Sequence, residues 1–252
     1  MGNRITFTGS QGEELAARLD LPPTQPKAYV LFAHCFTCGK DLNAVNRIAR
    51  ALNKEDIALF RFDFTGLGAS NGDFANTNFS SNVQDLIKAY EFLDENYQAP
   101  KIAVGHSLGG TAVLTAAEHM PKVKAVATIG SPFDAEHVVH NFSCAIGEIE
   151  ENGIAEVDLQ GRQFTIKKQF LDDVRNQSVA AAIQSLDKAL LVMHSPIDKT
   201  VDIENARKIY DHAKHPKSFV SLDNADHLLM KKSEDSIYAA KILSAWASRY
   251  VA

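Results

Sequence analysis

Residues 101–114 read KIAVGHSLGGTAVL, and the reading of this stretch decides the fold. A short apolar run leads into an Ala- and Leu-rich segment of helical character, and Gly105-His106-Ser107-Leu108-Gly109 joins the two. The pattern G-x-S-x-G arises by chance in many chains; between a strand and a helix it describes a nucleophile elbow. Such a turn is strained and its backbones approach closely, so both flanking positions must be small. It lifts the Ser107 hydroxyl above the sheet edge and aims the Leu108 N–H at a developing oxyanion. Other glycine readings fail. A phosphate-binding loop needs Lys after Gly110, where Thr111 stands. Gly66-x-Gly68 has Asn71 in place of a third glycine and a polar loop where a helix should follow, which removes dinucleotide binding.

Outward from the elbow, the apolar runs AYVLFAH, IALFRFDF, KIAVGHS, VKAVATIG and ALLVMHS read as buried strands. Helix-period segments (LNAVNRIARALNK, SNVQDLIKAYEFLDENY, LGGTAVLTAAEHM) lie between most of them, the second with Ser81-x-x-Gln84 as a capping box. This alternation implies a mostly parallel sheet covered on both faces. Two opening strands, NRITFTGS and EELAARLDL, have no helix between them and predict an antiparallel edge. Later come IENARKIYDHA, the strand KSFVSLD and a closing amphipathic helix. Residues 135–188 are too long for a simple crossover. They read as a helix from Ala135 to Glu150, a hairpin around Gln160-Gly161 and one or two helices from about Gln169 to Leu186. The expected organisation is a core of residues 1–134 and 189–252 with a cap inserted at 135–188.

Composition narrows the function. With 26 basic against 31 acidic residues and no basic cluster, nucleic-acid binding has no electrostatic support. No run of about 18 apolar residues predicts a membrane span, and the N-terminus lacks the apolar core of a signal peptide. Met1-Gly2 and Thr6 fit a loose myristoylation pattern, but Ile5 and Phe7 alternate with polar residues as a strand, and no polybasic patch follows. Three cysteines (35, 38, 144) are too sparse for a disulfide scaffold, so a cytoplasmic setting is expected.

The chain resembles the α/β-hydrolase family, in order, through FAHCF, RFDFTGLGASNG, GHSLGG, HSPIDKTV and NADHLL. The resemblance implies a doubly wound sheet and a serine hydrolase with chain order nucleophile, acid, histidine. A serine hydroxyl needs a histidine base, and that base an orienting carboxylate. Of nine histidines, His227 alone follows the last strand in a loop before the closing helix. His34 and His106 precede any acid in chain order. His119, His212 and His215 fall near helix C-termini, His137 and His140 lie in the insertion, and His194 ends the strand before the acid loop. For the acid, Asp198 and Asp134 each follow a strand, and the likeness of HSPID to the family's acid loop favours Asp198. Asp202 reads as a helix cap, and Asp226 is expected to point away from its neighbour His227. Asp63, between Phe62 and Phe64, reads as scaffold.

The loop His34-Cys35-Phe36-Thr37-Cys38 carries a C-x-x-C, the spacing of redox dithiols and of half a zinc site. In the resembling family this loop supplies the second oxyanion donor, which here is the Phe36 N–H, with Cys35 where a glycine often stands. His34, Cys35, Cys38 and His106 then become neighbours of the site. No metal is expected, because only Cys144 remains as a further thiolate, and no cofactor is required. The expected activity is hydrolysis of a small-molecule carboxylic ester through an acyl-enzyme. A thioesterase or peptidase on the same triad, or a thiol redox protein using Cys35 and Cys38, are the alternatives. The same loop resembles a bacterial branch that can be fused to OsmC-like thiol-peroxidase domains; the chain closes on the hydrolase's last helix, so no second domain is expected. The sequence leaves a homo-oligomer open.

Overall fold

The computed structural model describes residues 3–159 and 161–251. Met1, Gly2 and Gln160 lie outside them, so the myristoylation pattern and half of the expected hairpin turn are not described. In chain order the elements are β1 (Asn3–Thr8), β2 (Glu14–Asp20), β3 (Ala28–Ala33), α1 (Asn43–Asn53), β4 (Ile57–Phe62) and α2 (Phe79–Asn96). Then follow β5 (Ile102–His106), α3 (Leu108–Ala116), β6 (Ala125–Ile129), α4 (Ile146–Asn152), β7 (Ile154–Leu159) and β8 (Arg162–Lys167). The chain closes with α5 (Lys168–Arg175), α6 (Val179–Ser185), β9 (Ala189–His194), α7 (Glu204–His212), β10 (Lys217–Ser221) and α8 (Ser233–Ala247).

Eight strands form one sheet in the order β1-β2-β4-β3-β5-β6-β9-β10. From β4 to β10 all pairings are parallel, and β1 and β2 add the antiparallel edge. The near-continuous apolar runs are explained by burial on both faces: every residue of β3, β4, β5, β6 and β9 is buried. The edge strand β1 instead alternates towards solvent. Arg61 is the charged exception inside β4. Its guanidinium is 1 % exposed and fully engaged, donating to Asp20 Oδ2 (2.8 Å), Lys40 O (2.7 Å) and Asn46 Oδ1 (2.7 Å). One face is covered by α2 and α3 through Leu86, Ala112 and Val113, the other by α1 and α8 through Val45, Ile48 and Leu243.

Two local expectations are corrected. The capping box of α2 is Asn78 with Ser81, not Ser81 with Gln84. Asn78 Oδ1 accepts from Ser81 N (2.8 Å) while Ser81 Oγ accepts from Asn78 N (2.9 Å), so the helix starts three residues earlier than the S-x-x-Q pattern suggests. The expected helix Ala135 to Glu150 is two pieces. A 3-10 segment, Ala135–Ala145, is kinked at Phe142 (φ −139°, ψ 33°), and α4 follows it.

The stretch between β6 and β9 holds that pair, the β7–β8 hairpin and helices α5 and α6. Phe142, Ile149 and Phe170, each at most 2 % exposed, join the core on the α2–α3 side. Polar contacts also dock it: Asn78 Nδ2 donates to Gln169 Oε1 (2.7 Å) and Ser80 N to Asp173 Oδ2 (2.8 Å). The loops after β3, β5, β6, β9 and β10 gather at one sheet edge, where parallel α/β sheets place their ligand crevices.

Candidate active site

Ser107 stands between β5 and α3 with φ 53° and ψ −129°, a conformation an L-residue adopts only at a cost on the order of 1–3 kcal/mol. The surrounding packing enforces it. Ser107 N donates to Ile129 O (2.9 Å) and Gly110 N to Ser107 O (2.9 Å). A Cβ on Gly105 would collide with the Gly109 carbonyl and the Gly110 backbone, and one on Gly109 with the carbonyls of Ala33 and His34. The small flanks of the motif therefore follow from helix α3 lying directly on the ends of β3 and β5.

The carboxylate beside His227 is that of Asp198. His227 Nδ1–H donates to Asp198 Oδ2 at 2.7 Å, and the carboxylate side chain is 2 % exposed. Its other oxygen accepts from Thr200 N (2.8 Å) and Val201 N (3.0 Å). Burial by itself raises the Asp198 pKa; the His227 hydrogen bond and charge, with the two backbone N–H groups, outweigh it and hold the carboxyl below its usual range. Asp134 is turned elsewhere, capping the following 3-10 segment through Glu136 N (2.7 Å). Asp226 accepts from Met230 N (3.0 Å) and Lys231 N (2.7 Å), closing the turn after His227 without touching the imidazole. Asp202 caps α7 through Glu204 N (2.8 Å), and His194 braces the acid loop by donating to Val201 O (2.8 Å).

His106, expected as a neighbour of the site, has a defined part in it, and Gly130 is a contributor the sequence did not single out. His106 donates through Nε2–H to the His227 backbone carbonyl (2.7 Å), tying the histidine loop to the elbow. Burial, reinforced by nearby His227, pushes the His106 ring down to about 3, so it adds no positive charge beside the imidazole. Gly130, at φ 54°, lets the backbone pass so close that a Cβ there would sit 3.3 Å from Asp198 Oδ2 and 3.4 Å from His227 Nδ1. The only hint had been a glycine ending an apolar strand.

Ser107 and His227 line one cavity of about 120 Å³ together with Cys35, Phe36 and Cys38, and Asn141, Asp158 and Leu159 of the 135–188 segment also line it. The Ser107–His227 hydrogen bond itself is not formed here; such bonds commonly tighten only around substrate. Larger depressions of about 800 Å³ beside Arg18 and Lys40 and about 740 Å³ between α1 and α8 contain no serine–histidine–carboxylate set, so chemistry outranks volume in locating the site. Among the described residues, the N–H groups of Phe36 and Leu108 have no hydrogen-bond partner. Leu108 opens α3, where the first N–H groups have no intrahelical acceptor, and Phe36 stands in the loop after β3.

Cys35 and Cys38 are joined as a disulfide with Cα atoms 5.2 Å apart, and Cys144 is free and exposed. His34 Nδ1–H donates to Cys35 O (2.8 Å), its ring kept neutral by burial. Asp63 is scaffold at the loop's exit: Lys40 donates to it through N (2.6 Å) and Nζ (2.7 Å). Of the insertion's apolar residues Leu159 lines the cavity holding Ser107, whereas Phe142, Ile146, Ile149, Phe164 and Phe170 do not. Phe142 and Phe170 stack instead on Phe36, with centroids 6.5 and 5.7 Å away. No cluster of three or more His, Cys, Asp or Glu able to hold a metal occurs among the described residues, and no described helix is long and apolar enough to cross a membrane.

The sheet order, the elbow and the loop arrangement at the strand ends are those of an α/β hydrolase. The chain belongs to the family described as serine aminopeptidase, S33, whose model matches residues 24–164. The esterase domain of a Rhodothermus marinus protein shares 49% sequence identity over 100% of both chains, with a TM-score of 0.81. The rat mitochondrial palmitoyl-protein thioesterase ABHD10 is 24% identical over 78% of this chain and 66% of its own length. Human monoglyceride lipase is 31% identical over 44% of this chain and 37% of its own. The chain thus spans less than two thirds of the length of either of these two relatives.

Proposed function

We propose that this chain hydrolyses carboxylic esters or thioesters of small acyl groups through an acyl-enzyme on Ser107. The observation that carries the reading is the buried Asp198–His227 pair, 2.7 Å apart, sharing a cavity with a serine held in elbow geometry. His227 Nε2 takes the Ser107 proton as Oγ attacks the acyl carbonyl, and Asp198 holds the tautomer and stabilises the imidazolium that forms. The unpartnered N–H groups of Leu108 and Phe36 receive the oxyanion. His227 returns the proton to the leaving oxygen or sulfur, and water then repeats the sequence on the acyl-enzyme. The segment 135–188 acts as a cap, and Asn141, Asp158 and Leu159 limit the room for substrate.

An aminopeptidase would need a free carboxylate for the substrate's amine. Asp158, the acidic side chain in the cavity wall, is engaged with Gly161 N (2.8 Å) and Gln163 Nε2 (3.2 Å) of its own hairpin, which favours esters. A panel of p-nitrophenyl esters and acyl-thioesters of graded chain length, run on wild type and Ser107→Ala, tests the reading. A short-chain optimum present only in wild type is expected; equal rates in both proteins would sink it.

A further inference from the structure

The disulfide is not used by the acyl-transfer chemistry, yet it forms part of the catalytic cavity wall. It also closes the turn that carries one of the two orphan N–H groups. The peptide between Cys35 and Phe36 is planar, with its C=O and N–H pointing in opposite directions. Its oxygen is gripped twice, by His34 Nδ1–H (2.8 Å) and by Cys38 N–H (3.1 Å), so the direction of the Phe36 N–H is set by where Cys38 sits. Thr37, between them, has φ 57°, a left-handed conformation costing a threonine about 1–2 kcal/mol, and Arg162 of β8 donates to its carbonyl. The covalent link holds this turn closed against that cost. Cys38 is half-buried and Cys35 is 4 % exposed, so the Cys38 sulfur is the more open to attack.

We propose that Cys35–Cys38 is a thiol-exchange site, at which a low-molecular-weight thiol entering the catalytic cavity opens the disulfide and thereby withdraws the Phe36 N–H from the oxyanion. This rests on the serine-hydrolase reading. A thiolate RS⁻ attacks Cys38 Sγ, the Sγ–Sγ bond breaks, and Cys35 leaves as a thiolate that takes a proton from water. A second RS⁻ attacks the R sulfur of the mixed disulfide, forming RS–SR and freeing the Cys38 thiolate, which is protonated in turn. Two thiols are oxidised and one protein disulfide is reduced, a two-electron exchange. Unbonded sulfurs cannot remain at bonding distance, so the turn opens, Cys38 N–H loses Cys35 O and Thr37 relaxes. The thiol can come from the surrounding pool or, with a thioester substrate, from the leaving group released inside the cavity.

The test poises the protein in glutathione/glutathione-disulfide mixtures and, separately, in dithiothreitol. The thiols of Cys35, Cys38 and Cys144 are then counted by differential alkylation and mass spectrometry, and p-nitrophenyl acetate hydrolysis is measured after desalting. The expected result is two new thiols, at 35 and 38, appearing together with a fall in kcat on the order of tenfold at nearly constant KM. That is milder than the ~10²–10³ lost when an oxyanion donor is deleted. Cys38→Ala and the double variant Cys35→Ser/Cys38→Ser should be fixed near the lower rate and indifferent to thiol, and Cys144→Ser should respond like wild type. With no thiol added, a leaving-group source predicts progress curves that slow on acyl-thioesters but not on oxygen esters; equal curves assign the thiol to the pool. Complete reduction without a rate change, a disulfide that resists reduction in the folded protein, or cysteine variants with the wild-type rate would each overturn the proposal. Failure of the underlying reading looks different: Ser107→Ala would then hydrolyse as fast as wild type whatever the state of the cysteines.

Discussion

The two walls of the cavity present the same kind of group by different means. At the elbow, the Leu108 N–H is placed by backbone alone, with Ser107 locked between β5 and α3 and the glycines at 105 and 109 admitting the close approach. At the facing loop, the Phe36 N–H is placed by a covalent bond, a neutral buried histidine and the Lys40–Asp63 anchor. A site held by main-chain packing fails only when the fold is disturbed. A site held by a disulfide can be released by a small molecule while the sheet stays intact.

Substitutions at the elbow should have the largest effects. Ser107→Ala should lower kcat by three or more orders of magnitude while leaving thermal stability nearly unchanged, since only a hydroxyl is lost. Asp198→Asn should cost on the order of 10³–10⁴ in kcat by stranding His227 in the wrong tautomer, whereas Asp134→Asn should stay within about twofold. A reversal of that pair would break the assignment of the acid. Gly109→Ala should lower both activity and stability, the latter by about 1–3 kcal/mol, because the added carbon overlaps the carbonyls of Ala33 and His34; denaturant titration reads it. Cysteine variants, by contrast, should retain activity well above that of Ser107→Ala.

Stability against pH should respond as well. His106 is pushed down to about 3, first by burial and then by His227, and His34 and His194 are lowered chiefly by burial. Each stays neutral in the folded protein where an unfolded histidine takes a proton, near pH 6.5. Below about 6.5 the unfolded chain therefore binds more protons, and stability falls with decreasing pH by up to about 1.4 kcal/mol per pH unit per histidine. Above that pH the contribution is flat. Urea midpoints at pH 7.5 and 5 measure the slope, and His106→Gln should flatten it.

Much of the core was legible because burial on both faces writes itself into β3, β4, β5, β6 and β9 as unbroken apolar runs. The elbow was legible because steric demand allows few residues at 105 and 109. The carboxylate was less so: Asp134 and Asp198 follow adjacent strands, β6 and β9, and only side-chain direction separates them, which periodicity does not encode. The S-x-x-Q pattern misplaced the start of α2 because Asn78, three residues upstream, makes the reciprocal bonds with Ser81. The C-x-x-C spacing alone left pairing, metal binding and free thiols open, and the left-handed Thr37 that closes the turn has no signature in residue type. An apolar residue type such as Phe142 or Phe170 is compatible with either a pocket wall or a packed core. Their stacking on Phe36 is a tertiary fact.

The most direct test of the central claim is covalent labelling of the folded wild-type protein with a fluorophosphonate, read by intact mass and by peptide mapping. The account predicts one adduct per chain, on Ser107, formed far more slowly in Asp198→Asn. An unlabelled Ser107 in folded protein, or an adduct on another residue, would contradict it.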